Sequence, residues 1–428
     1  MKMEKAQEIV DNLYDFRDHY FEKFSLDKAI EKNKDVKQEM TKALEALENV
    51  KDEITNKSVY QMLRGRAYNI SPSFDSQAEE ALSKAVKLDP KLVEAWNELG
   101  ESYWKKGDIP AAKNCFVGAL GHVKNKVSLR NLSMVLKQIS GSPSEKLKMI
   151  EESVEKAKEA VQLDIHDGTS WLVLGNAYLS LFFATGQSSK SLKQSMSAYS
   201  QAEKDPVAKN NPDLHFNRSV AYKYEEDYQA ALEGFSMASK LDPTWPEPVE
   251  HEKHLMAFLS NVSELTETKG KQKDKKIKTL IQSFRDSDMG PYSGGKYTSP
   301  KGKSIDLVRC KFCDLQSPIN KEKVIMGKVV CTVQSNEPVP FSFCLVDDDE
   351  SCLPVSVYNI SQGSGVKIGD SVAIPEPYLQ NIKVKHKDLN LDYKSIRVNS
   401  PLVLVVNGKK LGIEKQAPSV LSVSAISQ

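Results

Sequence analysis

The 428-residue sequence has no long apolar run and almost no net charge, and each shortage excludes a class of protein. No stretch approaches the roughly 20 apolar residues of a membrane-spanning helix. Residues 1–15 are polar and amphipathic, without the apolar core of a secretory signal. The net charge of +1 gives the chain as a whole no field that attracts nucleic acid. We therefore expect no membrane partner, and we expect any basic surface to be local.

Cysteine is also scarce, with six residues at irregular spacings. In the absence of a secretory signal, we interpret them as reduced thiols of the cytosol or nucleus. Cys310 and Cys313 have the spacing of zinc ligands, but no second pair follows to complete the usual four ligands, so we expect no metal site. The acidic run at residues 347–350 could hold a hard cation, and a charged hairpin tip explains it as well.

The motifs of several large enzyme classes are missing. The sequence contains no GxxxxGK[ST] phosphate loop, no GxSxG nucleophile turn and no HExxH metal motif. Its seven histidines are scattered along the chain and suggest no general base. We therefore expect a protein that is not an enzyme and that needs no cofactor.

What the sequence does contain is a repeat of about 34 residues. In WNELGESYWKKGDIPAAKNCFVGAL, residues 96–120, a tryptophan, a leucine, a glycine and a tyrosine fall on one helical face. Ala112, Phe116 and Ala119 form a second apolar face after a Lys-Gly-Asp turn. This is the helix–turn–helix pattern of the tetratricopeptide repeat, in which small residues let two helices approach and large ones fill the gap.

Related segments surround this copy. One lies around Gly65, one around Gly175, and one around Ser219 that ends at Pro243, with a degenerate copy before Gly175. Residues 4–54 predict an additional helical pair, and the segment after Pro243 predicts a capping helix. We interpret the repeat aromatics as packing between helices and expect function on the concave surface of the superhelix.

The composition changes after this helical region. Six lysines and one aspartate stand within residues 269–278, and a Gly/Ser/Pro-rich stretch follows, so we predict a partly ordered linker over 269–303. The lysines are either simply solvated, a nuclear-localisation signal or a contact for nucleic-acid phosphates. The first predicted domain is therefore a repeat superhelix over 1–268, and the linker over 269–303 follows it.

Short alternating apolar runs from residue 324 onward predict about five strands. They fit a small Greek-key barrel of the OB type, and a sandwich fits nearly as well. We place this β domain at 304–412 and a flexible tail at 413–428. OB barrels bind oligonucleotides or proteins, and the basic cluster at residues 383–387 either makes such a contact or is ordinary surface charge.

One stripe of the repeats gives a definite charge pattern. With the repeat glycine counted as position 8, positions 2, 5, 9 and 12 of each first helix share the concave face. This places Lys137, Asn176 and Asp213 on the stripe, and Glu247 opens the capping helix beyond. A cation and two carboxylates suit a ligand with adjacent basic and acidic side chains, because paired carboxylates bind a guanidinium selectively.

The charge pattern of this stripe allows two interpretations besides a site for adjacent basic and acidic side chains. Many tetratricopeptide modules bind the C-terminal carboxylate of chaperones through lysines and asparagines, but Asp213 replaces a cation of that clamp and disfavours it. The remaining alternative is that the three charges are merely solvated.

Several segments in order carry a resemblance to a known family. They are LSKAVKLDP, LVEAWNELGESYWKKGD, NKVSLRNLSMVL, GNAYLSLFF, NPDLHFNRS, LDPTWPEP, GKVV and IGDSVAIPEP. Together they resemble the tetratricopeptide repeat protein 5 family over nearly the whole chain. The resemblance implies a multidomain α-then-β fold, in which a repeat superhelix is followed by an OB-fold domain.

The resemblance also implies two functions. One is a cytoplasmic adaptor that recognises the Met-Arg-Glu N-terminus of nascent tubulin at the ribosome and, with an mRNA-decay adaptor, promotes tubulin mRNA decay. The other is a nuclear cofactor that scaffolds a histone acetyltransferase complex on chromatin in the stress and DNA-damage response. A third hypothesis is nucleic-acid binding through the β domain and the lysine-rich hinge. We expect both cytoplasmic and nuclear localisation.

Specific residues take roles from this resemblance. Asp213 and Glu247 match the groove acids of the family and are expected to bind the tubulin arginine. Lys137 stands where the family usually has an arginine facing the tubulin glutamate; lysine keeps the charge but loses the bidentate fork. Lys84 and Lys87, one helical turn apart, are candidate contacts to ribosomal RNA phosphates.

Overall fold

The computed structural model describes residues 2–294, 296–298, 302, 304–337 and 339–417, without the side chains of residues 2 and 296. The chain divides into two compact units. Among the described residues, the first contains those up to Ala221 together with Gly234–Pro248, and the second contains Tyr222–Glu233 together with those from Val249 to Ala417.

The α-helices follow one another along the first two thirds of the described chain, and consecutive helices from α3 to α11 contact each other. They are α1 (Lys2–Asp18), α2 (Tyr20–Lys23), α3 (Lys32–Asn49), α4 (Lys57–Tyr68), α5 (Ser76–Leu88), α6 (Val93–Lys106), α7 (Ile109–His122), α8 (Lys126–Leu136), α9 (Pro143–Leu163), α10 (Gly168–Ala184), α11 (Ser189–Ala202), α12 (Pro206–Lys209), α13 (Pro212–Glu225), α14 (Tyr228–Leu241), α15 (Glu247–Glu267) and α16 (Asp274–Gln282).

The repeat glycines of α6 and α10 allow their partner helices to approach closely. A Cβ atom at Gly100 would lie 2.6 Å from a ring carbon of Phe116, and one at Gly175 would lie 2.5 Å from a ring carbon of Tyr199. Both distances are far shorter than a van der Waals contact between carbon atoms. The fixed offset between glycine and aromatic residue in the sequence therefore follows from the contact between the two helices.

The turn between α6 and α7 shows why Lys-Gly-Asp stands at residues 106–108. Gly107 ends α6 in the left-handed conformation, with φ of 84°, which glycine adopts without a steric penalty. Asp108 then begins α7, because its side chain accepts a hydrogen bond from the Ala111 N–H at 3.0 Å. The predicted helix–turn–helix superhelix is confirmed.

The strands lie in the second unit, mostly in one mixed sheet of order β11-β10-β7-β4-β5-β6-β9-β8, while β3 pairs with β4, and β1 and β2 form a separate hairpin. They are β1 (Lys296–Thr298), β2 (Ser304–Asp306), β3 (Val308–Arg309), β4 (Lys323–Val333), β5 (Phe341–Val346), β6 (Cys352–Val357), β7 (Ser371–Pro375), β8 (Tyr378–His386), β9 (Leu389–Val398), β10 (Val405–Val406) and β11 (Lys409–Lys410).

The strand order of the sheet includes one long-range return of the chain. After β7 and β8, strand β9 comes back to pair in parallel with β6, as a Greek-key connection does. Its core is apolar and almost completely buried, with Ile325, Val329, Phe343, Val355 and Ile396 at its centre. The predicted fold class, helices followed by a β domain, is confirmed.

The segment predicted as a linker over 269–303 contains ordered structure. In α16, Ile277 is 1% exposed and packs in one cluster with Cys331 of β4. Tyr292 is 2% exposed and packs with Met326 in another cluster. These apolar residues are few and widely spaced among lysines, glycines and serines, so composition alone does not indicate them. Residues 295, 299–301 and 303 of the predicted linker lie outside the described residues.

The predicted domain boundary at residue 268 differs from the division of the structure. The turn between α13 and α14, and α15 from Val249 onward, belong to the same unit as the barrel. Polar contacts between distant segments make this connection: the Tyr358 hydroxyl donates to the buried Glu226 at 2.8 Å, and the exposed Lys387 donates to the buried Glu252 at 2.7 Å. Such isolated long-range pairs leave no periodic signal in a sequence.

The segment predicted as a flexible tail begins with residues that pair with the barrel unit. Gln416 forms an isolated β-bridge with Ile360, and the Ala417 N–H donates to the Asn359 carbonyl at 2.7 Å. The rest of that prediction, residues 418–428, lies outside the described part of the chain.

Candidate functional site

Lys137 follows the last residue of α8, after two buried residues at its end, Val135 and Leu136. Its side chain is half-buried, and this burial lowers the pKa of Lys137 to about 8, while the charge of Asp213 acts in the opposite direction. Burial disfavours the charged form of an amine, and a nearby carboxylate favours it. Lys137 and Asp213, predicted to share the groove, are thus close enough to influence each other.

Asp213 lies in the first turn of α13, where its backbone N–H donates to Asn211 Oδ1 at 2.9 Å. The side chain is exposed, yet surrounding protein atoms raise the pKa of its carboxyl; Lys137 opposes this effect and Asp242 adds to it. The combination is expected on a concave surface, where water reaches a group from one side only. Among the described residues, neither Lys137 nor Asp213 forms an ion pair.

Tyr199 of α11 connects Asp213 to Asn176. Its hydroxyl donates to Asn176 Oδ1 at 2.8 Å. Burial raises the pKa of Tyr199, and the charge of Asp213 adds to the increase. Two of the predicted groove residues, Asn176 and Asp213, therefore both lie near Tyr199, and the third, Lys137, lies near Asp213.

Glu247 begins α15 and is half-buried. Its Oε2 atom is buried and has no hydrogen-bond partner among the described residues. A buried carboxylate oxygen without a donor carries an uncompensated desolvation cost. Glu247 is not among the groups that shift the pKa of Lys137 or Asp213, so its place in the same groove stays a prediction. We call Lys137, Asp213 and Glu247 the open set, because the described chain gives none of them an ion-pair partner.

A second group of charged residues in the first repeats differs from the open set in having its partners within the protein. Glu98 Oε2 accepts a hydrogen bond from Asn69 Nδ2 at 2.9 Å, and Arg66 Nε lies 3.5 Å from Glu98 Oε1. Burial raises the pKa of Glu98 to about 7, and Glu101 adds to this while Asn69 and Arg66 oppose it. Lys105 pairs with Glu101 at 2.8 Å.

This second group also reaches α1. The Tyr14 hydroxyl donates to the Arg66 carbonyl at 3.0 Å, and the Arg66 guanidinium lies 4.5 Å from the centre of the Tyr14 ring. We call this group the closed cluster. Its members are Tyr14, Arg66, Asn69, Glu98, Glu101 and Lys105.

The two lysines predicted as ribosomal contacts lie on α5, the second helix of its pair, and not with the open set. Both side chains are exposed. Lys84 Nζ pairs with Glu80 Oε1 at 2.6 Å, one turn earlier on the same helix. Such an exposed pair is weak and opens readily, so both cations are accessible to a polyanion.

The acidic run at the β5–β6 hairpin serves the backbone. The Asp347 carboxylate accepts hydrogen bonds from the N–H groups of Phe312 and Ser351, both at 2.9 Å. Over the part of the chain that the structure describes, no three or more His, Cys, Asp or Glu side chains are grouped so that they could hold a metal ion. Within the same residues, no helix combines the length and apolarity of a membrane span.

Both regions of the chain match models of known protein families. Residues 306–420 match the family model described as the tetratricopeptide repeat protein 5 OB fold domain, and residues 93–121 match the tetratricopeptide repeat model. The chain is 51% identical to human tetratricopeptide repeat protein 5 over 422 residues, which covers 98% of this chain and 96% of the human one. The mouse protein is 50% identical with the same coverage. This chain belongs to the tetratricopeptide repeat protein 5 family.

Membership of the tetratricopeptide repeat protein 5 family confirms the resemblance and decides between the two predicted β architectures in favour of the OB fold. The tetratricopeptide fold mediates protein–protein interaction, and proteins built on it are typically non-catalytic adaptors. Solved structures are more distant. One of them, described as YrrB, a tetratricopeptide protein with an unusual peptide-binding site, is 20% identical over 54% of this chain and 98% of its own, with a TM-score of 0.30.

Two residues near the open set were not predicted. Tyr199 occupies the aromatic packing position of its repeat, and its hydrogen bond to Asn176 is not visible in that pattern. Asp242 lies in the turn after α14 and raises the pKa of Asp213. A count of concave positions considers only first helices, so it overlooks residues that reach the groove from second helices and turns.

Proposed function

We propose that this chain is a non-catalytic adaptor that binds the Met-Arg-Glu N-terminus of nascent tubulin at the ribosome and promotes tubulin mRNA decay. Family membership supports the proposal. The structural observation that carries it is the open set: one lysine and two carboxylates on the repeat helices, with no ion-pair partners in the described chain.

The charges of the open set are opposite in sign to those of that peptide. Asp213 and Glu247 offer carboxylates to an arginine, which binds them through charge-assisted, geometrically selective hydrogen bonds. Lys137 offers a cation to the adjacent glutamate. Because the pKa of Lys137 is about 8, the side chain is charged in most molecules at neutral pH. A bound carboxylate then replaces the solvation that burial has removed from the amine.

A peptide titration with a matched control tests this proposal. A labelled peptide beginning Met-Arg-Glu is titrated into the full chain, and a second peptide beginning Met-Glu-Arg has the same composition and net charge. We expect clear binding of the first and much weaker binding of the second, because the swap places each charge opposite a like charge. Equal affinities would show that the groove does not read charge order and would contradict the proposal.

Attachment to the ribosome through Lys84 and Lys87 is part of the same proposal. The two exposed cations lie on α5, three residues apart, so that one face of a helix presents both. Phosphate groups of ribosomal RNA are partners of the required charge. This arrangement leaves the open set available to the emerging chain.

A nuclear role with histone acetyltransferase and DNA contact is a second candidate, so that the protein acts in both cytoplasm and nucleus. The observation that favours it is α16 with the residue before it, where Lys273, Lys275, Lys276 and Lys278 are exposed around the buried Ile277. Binding of an oligonucleotide by the full chain across a salt series tests it, since phosphate contacts give a log–log slope proportional to their number. Replacement of the four lysines by glutamine should reduce that slope; absence of binding would remove this candidate.

A further inference from the structure

An open cleft lies between α3 and α4, on a face of α4 that the peptide proposal does not use. Its volume is about 260 Å³, and Tyr60, Arg64 and Tyr68 of α4 line it together with residues of α3. These three residues are four positions apart, so they share one helical face. Counted from Gly65 as position 8, the concave positions of α4 are other residues, with Arg66 at position 9. The cleft and the concave stripe therefore occupy different faces of the same helix.

The size of the cleft suits one small flat group. Pockets that enclose a drug-sized ligand usually measure roughly 300–1,000 Å³, and this cleft is smaller. Part of its lining is apolar, with Leu44 and Leu47 of α3. A single nucleobase or a single amino-acid side chain, entering with its apolar face inward, fits such a space.

A guanidinium and an aromatic ring are the groups of the cleft that a ligand can reach. The Arg64 guanidinium lies 5.5 Å from the centre of the Tyr68 ring, and both side chains are half-buried. Among the described residues, that guanidinium has no ion-pair partner. Tyr60, by contrast, is 6% exposed and donates its hydroxyl to Glu48 at 2.7 Å. Arginine planes and aromatic rings are the surfaces on which unpaired RNA bases stack.

Exposed lysines stand near this pair on both neighbouring helical segments. Lys84 of α5 pairs with Glu80 at 2.6 Å and lowers its pKa, and the Arg64 charge adds to that effect. Lys51, after α3, pairs with Glu48 at 2.7 Å and lowers its pKa, and Arg64 contributes here too. Exposed ion pairs of this kind are weak, so either lysine can exchange its carboxylate for a phosphate.

A carboxylate at the edge of the cleft gives it a possible selectivity. Glu45 of α3 lines the cleft and is exposed, and within the described part of the chain its carboxylate forms no ion pair. An ionised carboxylate only accepts hydrogen bonds, so it favours a base edge that carries donors. The N4 amino group of cytosine is such a donor, whereas O4 of uracil is an acceptor.

We propose that this cleft binds one unstacked base of ribosomal RNA. The base stacks against Arg64 and Tyr68, and Glu45 accepts a hydrogen bond from an amino group on its edge. The adjoining phosphates contact Lys51 and Lys84. The inference rests on the proposed function, since it extends the ribosomal contact of α5 from phosphate groups to a base. Because a base can enter the cleft only where it is unpaired, attachment is confined to single-stranded loops, bulges or ends.

Short single-stranded RNAs test the base contact in the full chain. Labelled hexamers of cytidine and of uridine have the same length and charge, so phosphate contacts bind both equally. We expect the cytidine hexamer to bind about fivefold more tightly, because only cytosine donates to Glu45. Glu45→Gln should bring the two affinities together, since an amide both donates and accepts. Equal affinities for the parent chain would overturn the proposed base contact.

Substitutions at the stacking pair separate a base site from simple charge attraction. Arg64→Lys keeps the charge and loses the plane, and Tyr68→Leu loses the ring. Each should weaken binding of both hexamers about tenfold without changing the slope of log affinity against log salt concentration. Lys84→Gln should instead reduce that slope by about 0.7, the value of one phosphate contact to a single strand.

Tyr103→Leu is the matched control for Tyr68→Leu. Tyr103 stands three residues after Gly100, as Tyr68 stands three residues after Gly65, so the same ring is removed from the same position of the next repeat. Tyr103 does not line the cleft, and its substitution should leave both RNA affinities unchanged. Equal losses in the two tyrosine variants, with normal binding by Arg64→Lys, would assign the losses to packing and overturn the inference.

Co-sedimentation with ribosomes distinguishes RNA from protein as the occupant of the cleft. Arg64→Lys should reduce co-sedimentation of the full chain, and Tyr103→Leu should retain it. If Arg64→Lys reduces co-sedimentation while neither hexamer binds the parent chain, the cleft holds a side chain of a ribosomal protein, and the RNA inference is overturned.

The outcomes also separate this inference from the proposed function. If the parent chain does not sediment with ribosomes, the proposed attachment fails, and the base site in ribosomal RNA fails with it. If the parent chain sediments through Lys84 and Lys87 while Arg64→Lys and Tyr68→Leu bind hexamers and ribosomes like the parent, the base site alone is overturned.

Discussion

The closed cluster and the open set are built from the same kinds of side chains on the same kind of helix, but they differ in whether the protein satisfies them. In the closed cluster, Glu98 has Asn69 and Arg66 within 3.5 Å. In the open set, Lys137 and Asp213 influence each other's pKa without forming an ion pair. A charge on a concave surface therefore indicates ligand binding only when the protein has not already paired it.

The difference also separates two consequences of mutation. Residues of the closed cluster connect α1, α4 and α6, so changes there should appear in the free energy of unfolding. Residues of the open set contribute little to folding, so changes there should appear in ligand affinity. Four experiments can break or sharpen this comparison.

The largest effect is expected from Glu98→Lys in the closed cluster. The new cation would stand in a buried site against Arg66, in place of a carboxylate that accepts from Asn69, and breaking a buried charge network typically costs about 3–5 kcal/mol. Urea unfolding of the full chain measures the change. Peptide affinity of the folded protein should stay the same, and a loss of less than about 1 kcal/mol would contradict the structural role of the cluster.

Asp213→Lys in the open set should have the opposite profile. Loss of a desolvated charge pair with the peptide arginine costs at least about 2 kcal/mol, which is about 30-fold in the dissociation constant for the Met-Arg-Glu peptide. The free energy of unfolding should change by no more than about 0.5 kcal/mol, because the side chain is exposed. Calorimetric titration measures the affinity, and Asp242→Asn nearby is the control that should bind almost normally. Unchanged affinity of Asp213→Lys would rule out this role for Asp213.

The depressed pKa of Lys137 predicts a pH dependence of binding. A bound carboxylate favours the charged amine and so raises the pKa of Lys137 in the complex. The peptide affinity is therefore highest below the pKa of Lys137 in the free protein, about 8, and falls as the pH rises through that value. The dissociation constant should increase up to about tenfold per pH unit above that value.

The control for this pH dependence is Lys137→Arg, which stays charged at every pH used. The peptide's own α-amino group titrates at about 7.7–8.0, so part of the dependence belongs to the peptide and remains in this variant. Titrations at pH 7, 8 and 9 of both proteins give the difference between the two slopes. Identical slopes would show that Lys137 does not face the peptide carboxylate.

The smallest change in folding or peptide affinity is expected from Lys84→Glu combined with Lys87→Glu. Both side chains are exposed, so stability should move by no more than about 0.5 kcal/mol and Met-Arg-Glu affinity not at all. Co-sedimentation with ribosomes should nevertheless be lost, whereas Lys91→Glu, also exposed, should retain it. Normal co-sedimentation of the double variant would remove these lysines from the ribosomal contact.

Local patterns predicted the parts of this protein that depend on neighbours in sequence. Gly100 and Gly107 indicated a helix pair in the sequence. Gly100 is needed for the close contact with Phe116, and Gly107 for the turn that follows α6. The stripe of concave positions placed Lys137, Asn176 and Asp213 near one another for the same reason. Counting positions cannot give the pKa of Lys137, because that value depends on burial by side chains from other helices.

What sequence could not give were single contacts between distant segments. Glu252 and Lys387 are 135 residues apart, and Ile277 is one apolar residue in a run of lysines. No periodicity marks such residues, since each makes its contact once. They explain why the segment predicted as a linker contains an ordered helix and why the compact units divide within α13, α14 and α15.

The spacing of side chains around Asn176 depends on a residue that has no side chain of its own. Gly175 lies directly against Tyr199, with room for a hydrogen but not for a methyl group. Tyr199 donates a hydrogen bond to Asn176, and the charge of Asp213 raises its pKa. Addition of one carbon at Gly175 would therefore displace the Tyr199 ring and strain its bond to Asn176, so the smallest residue of this repeat sets the distance between much larger neighbours.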